Sequence, residues 1–371
     1  MLLTNKIRVL IVDDSSVARA MLREILEEQE DIEVVAEATN GKEAITLVQA
    51  LRPNLVTMDL NMPVMSGIEA IDFIMHHKAV PILVISSETD AELAYQALDH
   101  GALDVIIKPS FNLEEMQLLV DKVRLLSGVP VITRLQSCKQ MNPTVEPNTK
   151  TVVLRSIIAR PIIASPIKCV DSPIFAIATS TGGPQALAYL LSALPANFAA
   201  PIVIAQHISN GFIEGMAHWL SGLCCLPVKV AEEGELLVVG TIYLSPSEQH
   251  LTLTPDFRVK LKARVDSDIY HPSCDEMLAS VAQVYGKNAV GIIMTGMGRD
   301  GVLGMTEIHK RQGLTLAQDE ASSVIYGMNG ETVKAGVVHL ELPLSQLANA
   351  MLKIVQLKPV TYLASLQQGC L

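Results

Sequence analysis

Two sets of side chains in this 371-residue sequence have the types and spacing of reactive groups. The first is Asp13-Asp14, Asp59, Ser86 and Lys108. Three carboxylates brought to one place repel each other, and their pKa values rise unless a cation neutralises them. A divalent ion is the economical solution, and Mg2+ suits it because it takes a few carboxylates plus waters and leaves room for phosphate oxygens. With the metal present, Asp59 acts as an ionised nucleophile toward phosphorus. Lys108 then balances the added charge, and Ser86 hydrogen-bonds a phosphoryl oxygen. Each residue alone is an ordinary polar residue at a strand end. A double Asp, an Asp, a Ser and a Lys-Pro in that order, each after a different strand, are hard to assign to chance.

The second set is Ser180, His207 and Asp300. Ser180 lies in FAIATSTGGPQAL, a strand, a sharp turn and a helix. Small neighbours and Gly182-Gly183 let the backbone expose the hydroxyl above a helix N-terminus, where unpaired N–H groups meet developing negative charge. The logic is that of a nucleophile elbow, although the letters are Ala-x-Ser-x-Gly. Taken alone, Ser-Thr-Gly-Gly is as well read as a helix cap or a phosphate cradle. The next strand, PIVIAQ, runs into His207, placed to serve as a general base. After a third strand comes Gly296-Met297-Gly298-Arg299-Asp300-Gly301, where Asp300 either orients the His207 ring or caps a helix. The order Ser, His, Asp is immaterial, because a triad is defined by geometry.

These residues need two parallel sheets to gather them. Residues 7 to about 126 alternate strand and helix: strands at Ile7–Val12, Asp31–Ala36, Asn54–Met58, Pro81–Ile85 and Leu103–Ile107, and helices from Ser15/Ser16, Gly41, Ser66/Gly67, Asp90 and Phe111. Ligands bind at the carboxyl ends of such strands. The alternation resumes at Pro173, with strands at Ile174–Thr179, Pro201–Ala205 and Ala289–Thr295, short strands within Val228–Leu261, and Leu314–Ala317 as the last strand. Helices are expected at Phe212–Gly222, Ser273–Tyr285 and Val302–Gln312. The expected fold class is α/β, two doubly wound parallel-sheet domains joined by a linker. The domains span residues 5–126 and 172–357, with the linker at 127–171 and a C-terminal tail at 358–371. The linker holds five prolines (130, 143, 147, 161, 166), is more basic than the rest, and has one candidate ordered piece at 152–159.

Composition narrows the function classes. The chain is 49% apolar with a net charge of −11, which argues against a broad nucleic-acid-binding face. The six cysteines form no Cys-x-x-Cys, as reduced thiols in a cytoplasmic protein would not. No signal-peptide pattern precedes IRVLIV, and no apolar run reaches the ~18 residues of a membrane span.

The first set resembles the receiver domain of bacterial response regulators, over about residues 5–126. The resemblance implies a flavodoxin-like fold, Asp59 as phosphoacceptor, Asp13, Asp14, Asp59 and the Asn61 backbone carbonyl at the Mg2+ site, and Ser86 and Lys108 as switch residues. Val105 replaces the aromatic residue often found three positions before the lysine, so a rotating aromatic is not expected to relay the signal. The second half resembles the catalytic domain of the chemotaxis protein-glutamate methylesterases (CheB), through STGG at 180–183, QH at 206–207, PSCDEM at 272–277, TGMGRDG at 295–301, AQDEAS at 317–322 and YGM at 326–328. It implies a Rossmann-like domain with Ser180 as nucleophile, His207 as base and Asp300 as orienting acid. The Met297 N–H, with Thr181 nearby, supports the oxyanion.

Ala178-Thr179 stand where Gly-Ala usually precede the serine, and alanine is strained there if position 178 needs positive φ. Tyr270-His271 stand where His-Arg is common, and Asn329 where proline is usual. The implied activity is phosphorylation-controlled hydrolysis of glutamate methyl esters on chemoreceptors, with glutamine deamidation in some relatives and no cofactor for the hydrolysis. The implied partners are methylated chemoreceptors and a chemotaxis histidine kinase as phosphodonor. Neither nucleic acid nor membrane insertion is expected, and the chain is expected to be a cytoplasmic monomer. The alternative is a non-enzymatic, phosphorylation-dependent interaction protein. A DNA-binding regulator is disfavoured, since the second half lacks a basic helix-turn-helix-like segment.

Overall fold

The apolar run Ile7–Val12 forms β1, flanked in register by parallel strands on both sides. This is seen in a computed structural model that describes residues 6–87, 90–110, 112–131, 172–265 and 268–367. The elements that follow β1 are α1 (Ser16–Glu27), β2 (Ile32–Ala38), α2 (Gly41–Leu51), β3 (Leu55–Met58), α3 (Gly67–His77), β4 (Ile82–Ser86), α4 (Ala91–Asp99), β5 (Asp104–Ile107) and α5 (Leu113–Leu126). The sheet order is β2-β1-β3-β4-β5. Side chains alternate across each strand. Val9, Ile11 and Leu55 pack with Leu22, Leu26, Leu119 and Val123 of α1 and α5, while Leu10, Val12, Val56 and Met58 pack on the face of α2, α3 and α4. The strand order reverses between β1 and β3, whose carboxyl ends carry Asp13 and Asp59. Ser15 and Asn40 cap α1 and α2 through their side chains, and Ser66 with Glu69 forms a capping box on α3.

The second half contributes β6 (Ile174–Thr179), α6 (Gly183–Ser192), β7 (Ile202–Gln206), α7 (Ile213–Leu223), β8 (Val228–Val230), β9 (Ile242–Leu244), β10 (Gln249–Leu253), β11 (Val259–Ala263), α8 (Cys274–Tyr285), β12 (Ala289–Ile293), α9 (Val302–Lys310), β13 (Leu314–Gln318), α10 (Met328–Lys334), β14 (Leu340–Leu342), α11 (Leu344–Leu357) and α12 (Pro359–Gln367). Seven strands form one sheet, ordered β14-β13-β12-β6-β7-β9-β8, and β10 and β11 form an antiparallel pair. Both halves are thus α/β with parallel sheets, as expected. Leu314–Ala317 is not the last strand: β14 adds an edge beyond it, and its three residues are too few to show a period. Part of the expected tail is the helix α12, whose Tyr362 is buried. The candidate ordered piece at 152–159 lies outside the described residues.

The two halves meet along α4, the turn that follows it, and α5. Tyr95 of α4 stacks on Trp219 of α7 with centroids 5.3 Å apart, and the Trp219 indole N–H donates to Asp99 at 3.0 Å. Gln185 of α6 donates to the carbonyls of Leu98 and Ala102. Arg264 reaches Glu114 at 3.2 Å.

Candidate functional site

The carboxyl ends of β1, β3, β4 and β5 bring the first set together. Lys108 Nζ lies 2.9 Å from Asp13 Oδ2 and 3.2 Å from Asp59 Oδ1. The contact to Asp13 is a close ion pair with a buried carboxylate. Burial pushes the Asp59 carboxyl up; Lys108 opposes this and Asp13 adds to it, leaving a net upward shift. Burial pulls Lys108 down, but its contacts with Asp13 and Asp59 outweigh that and hold the ammonium above its ordinary value. Ser86 Oγ is fully buried and has no hydrogen-bond partner among the described residues. Asp13, Asp14 and Asp59 each offer a carboxylate oxygen, all within 4.8 Å of one another. An all-oxygen donor set of three carboxylates fits a hard divalent cation, and a buried strand-end hydroxyl without a hydrogen-bond partner among the described residues fits a phosphoryl oxygen. Asn61 is exposed on the turn that follows β3.

In the second sheet β6 lies between β12 and β7, so the serine strand is flanked by the aspartate and histidine strands. Thr179 and Gln206 are register partners, and His207 N–H donates to Thr179 O at 3.1 Å, so Ser180 and His207 leave adjacent strand ends side by side. His207 Nε2 lies 2.8 Å from Asp300 Oδ2. Asp300 also accepts from the N–H groups of Cys274 (2.6 Å), Asp275 (2.9 Å) and Gly301 (3.1 Å). Burial alone raises a carboxyl; here the His207 contact and these N–H donors outweigh it and hold Asp300 below its ordinary value. A carboxylate accepting at Nε2 keeps the imidazole proton there and leaves Nδ1 with the free lone pair. Among the described residues, no hydrogen bond joins the Ser180 hydroxyl to His207.

Close backbone packing places the nucleophile. Ser180 N–H donates to Thr295 O at 3.0 Å, and its carbonyl accepts from Gln206 Nε2 at 2.8 Å. A Cβ at Gly296 would lie 2.8 Å from Ser180 Cβ, and one at Gly183 would lie 2.1 Å from Gln206 Oε1. The positive φ of the turn falls at Gly182 (76°), not at Ala178, which sits in β6 and carries none of the expected strain. The N–H groups of Thr181, Gly182 and Met297 have no acceptor among the described residues. Asn329, where proline was the usual residue, is buried and donates to Gln318 O and Ser323 Oγ, tying the neighbouring loop. Tyr270 stacks on the His207 ring, with centroids 5.2 Å apart and planes 8° from parallel.

Two residues near this site were given no role from the sequence, although Cys274 lies within the PSCDEM stretch. Lys122 of α5 donates to the Thr181 hydroxyl and pairs with Asp104 at 2.5 Å, so the N-terminal half grips the residue next to Ser180. Cys274 places its thiol 3.5 Å from His207 Nε2.

A switch-type acidic pocket at the strand ends of one domain, and a Ser, His and Asp set at the strand ends of a second domain packed on its α4 and α5, are the parts of a regulated hydrolase of the response-regulator class. The receiver domain family of response regulators matches residues 9–121, and the CheB methylesterase family matches residues 175–351. Protein-glutamate methylesterase/protein-glutamine glutaminase 3 of Paramagnetospirillum magneticum is 52% identical over 352 residues, covering 94% of this chain and 96% of its own. A namesake numbered 4, from Myxococcus xanthus, is 39% identical over 353 residues, or 93% and 96% of the two chains. The crystal structure of the Thermotoga maritima CheB methylesterase catalytic domain covers 50% of this chain and 100% of its own at 32% identity, with a TM-score of 0.49. The chain belongs to the protein-glutamate methylesterase/protein-glutamine glutaminase family. Among the described residues, no helix is long and apolar enough to cross a membrane.

Proposed function

We propose that this chain hydrolyses glutamate methyl esters on chemoreceptors, and does so under the control of a phosphoryl group on Asp59. The observation that carries the proposal is the 2.8 Å His207–Asp300 pair at the strand end beside Ser180. Ser180 Oγ attacks the ester carbonyl while His207 Nδ1 takes its proton. The tetrahedral oxyanion meets the free N–H groups of Thr181, Gly182 and Met297. The imidazolium returns the proton to the departing methoxide, and methanol leaves. Water, deprotonated by the same ring, attacks the acyl-serine and releases glutamate. A glutamine side chain would follow the same path with ammonia as leaving group.

On the first sheet, Asp13, Asp14, Asp59 and the Asn61 carbonyl would hold Mg2+, which supplies positive charge against the carboxylates and phosphoryl oxygens. Asp59 accepts phosphate from a chemotaxis histidine kinase, Ser86 donates to a phosphoryl oxygen, and Lys108 exchanges its carboxylate partners for the new charge. In the arrangement described here, Lys122 and the contacts of α4 and α5 hold the receiver against the loop of Ser180 and Thr181. Phosphorylation shifts the population toward a state in which that face is released. The chain works as a cytoplasmic monomer.

The test is methanol release from a methylated receptor fragment with and without a small phosphodonor and Mg2+. Trp219, the sole tryptophan, sits at the domain interface and reports its opening. The phosphodonor is expected to raise the rate and to change Trp219 emission in the native chain. Asp59→Asn keeps the basal rate and loses both responses. A variant that still answers the phosphodonor removes Asp59 from the switch.

A further inference from the structure

The proposed hydrolysis leaves one reactive group beside the base without a task. Cys274 opens α8, fully buried, with Sγ 3.5 Å from His207 Nε2 and 3.6 Å from Ala205 O. Asp300 Oδ2 approaches the same ring nitrogen at 2.8 Å. An imidazole nitrogen, a sulfur and a carboxylate oxygen therefore lie within 4.8 Å of one another. We propose that His207, Cys274 and Asp300 form a binding site for Zn2+, and that the ion occupying it blocks the hydrolase. The blocking, though not the binding, rests on the reading of His207 as the base.

The geometry is close to what zinc needs. Zinc–sulfur bonds of about 2.3 Å and zinc–nitrogen bonds of about 2.0–2.1 Å at a tetrahedral angle place N and S about 3.6 Å apart. The observed separation is 3.5 Å. The nitrogen–oxygen pair must open from 2.8 Å to about 3.3 Å by the same construction, a small movement once the proton between them is gone. Charge also balances: one thiolate and one carboxylate neutralise the dication, so the loaded site buries no net charge. The N–H groups of Asp275 and Gly301 on Asp300 Oδ1 would fix the ligating carboxylate from behind.

The exchange is balanced without an oxidant. The thiol releases its proton to solvent and the sulfur binds zinc. The imidazole stays neutral: its proton moves through water from Nε2 to Nδ1, and the Nε2 lone pair binds the metal. Water fills the fourth position. Nδ1, the atom that must take the Ser180 proton, is then an N–H and cannot accept it. Zinc inhibits by fixing the unproductive tautomer. The two metal sites sort by ligand chemistry, since the Asp13, Asp14 and Asp59 oxygens suit Mg2+ whereas nitrogen with thiolate suits zinc.

Cobalt(II), a spectroscopic stand-in for zinc, tests the binding apart from activity. The full chain is used with Cys138, Cys169, Cys224, Cys225 and Cys370 replaced by serine, so that Cys274 is the sole thiol, and with excess Mg2+ present. Cobalt titration is expected to give a near-ultraviolet thiolate-to-metal absorption that saturates at one equivalent and is abolished by added Zn2+. The further change Cys274→Ala is expected to remove it. In parallel, Zn2+ is expected to suppress methanol release by the native chain. In Cys274→Ala, normalised to its own metal-free rate, the midpoint is expected to move up by roughly tenfold or more, the loss of about 1.4 kcal/mol of binding. Absence of the absorption from the folded sole-thiol chain overturns the site, whether or not the alanine variant folds. So does an absorption that survives Cys274→Ala, or a zinc midpoint that does not move. A chain that shows the absorption but releases no methanol even without zinc would instead defeat the hydrolase reading and leave the metal site standing.

Discussion

Replacing Ser180 by alanine is expected to end methanol release, with kcat falling about 10⁴-fold or more, because the proposed nucleophile is then gone. The effect is chemical rather than structural. Ser180 is 6% exposed, and its backbone makes the contacts that hold the turn, to Thr295 O and from Gln206 Nε2. Its hydroxyl has no hydrogen-bond partner among the described residues, so alanine leaves none unsatisfied. The variant should keep the native melting temperature and lose labelling by a fluorophosphonate. A rate within tenfold of native would remove Ser180 from the mechanism.

Asp300→Asn is expected to be nearly as damaging, with a loss of roughly 10³–10⁴ in kcat. The carboxylate accepts from His207 and Cys274 on Oδ2 and from Asp275 and Gly301 on Oδ1. An asparagine must turn its NH2 toward one side or the other. Toward Oδ2, it faces the Cys274 N–H and forces the His207 proton onto Nδ1, which removes the base. Toward Oδ1, it faces two N–H donors. Either way at least one buried donor is left unpaired, at about 1–3 kcal/mol. The depressed pKa of Asp300 also fixes the sign of its pH dependence. Its contribution to stability is complete above the unfolded value near 3.8 and is lost as pH falls through the lower folded value. Melting curves should therefore show a shallower acid dependence in the variant than in the native chain. Equal slopes and a native rate would leave Asp300 a helix-start residue and nothing more.

Much of this arrangement was legible in the sequence because parallel strands are short, apolar and buried on both faces, and their carboxyl ends are marked by an abrupt polar residue. Asp13, Asp59, Ser86 and Ser180 stand out for that reason. The partnership of His207 with Asp300 was legible only as one of two readings, since an Asp at the start of α9 could equally be a cap. The structure places the two 2.8 Å apart, with Asp300 also accepting N–H groups at the start of α8. Other features have no local signature. The contact between Lys122 and Thr181 joins two ordinary residues on different domains. Cys274 read as one reduced thiol among six cysteines until α8 set it against His207. The helix α12 was passed over because nothing in its sequence says that Tyr362 has a core to enter. Tyr270 was noted only as a departure from a pattern, whereas in the fold it lies flat on the imidazole.

The surface formed by α4, the turn that follows it and α5 is occupied by the chain's own second half, through Tyr95 on Trp219, the Gln185 contacts and Lys122 on Thr181. That surface can serve only one occupant at a time. Any protein that grips it must first evict the esterase, and by mass action its binding would liberate Ser180 even while Asp59 carries no phosphate. A competitor for that helical face is therefore an agonist of the enzyme, and its potency is set by how weakly the two halves cling to each other.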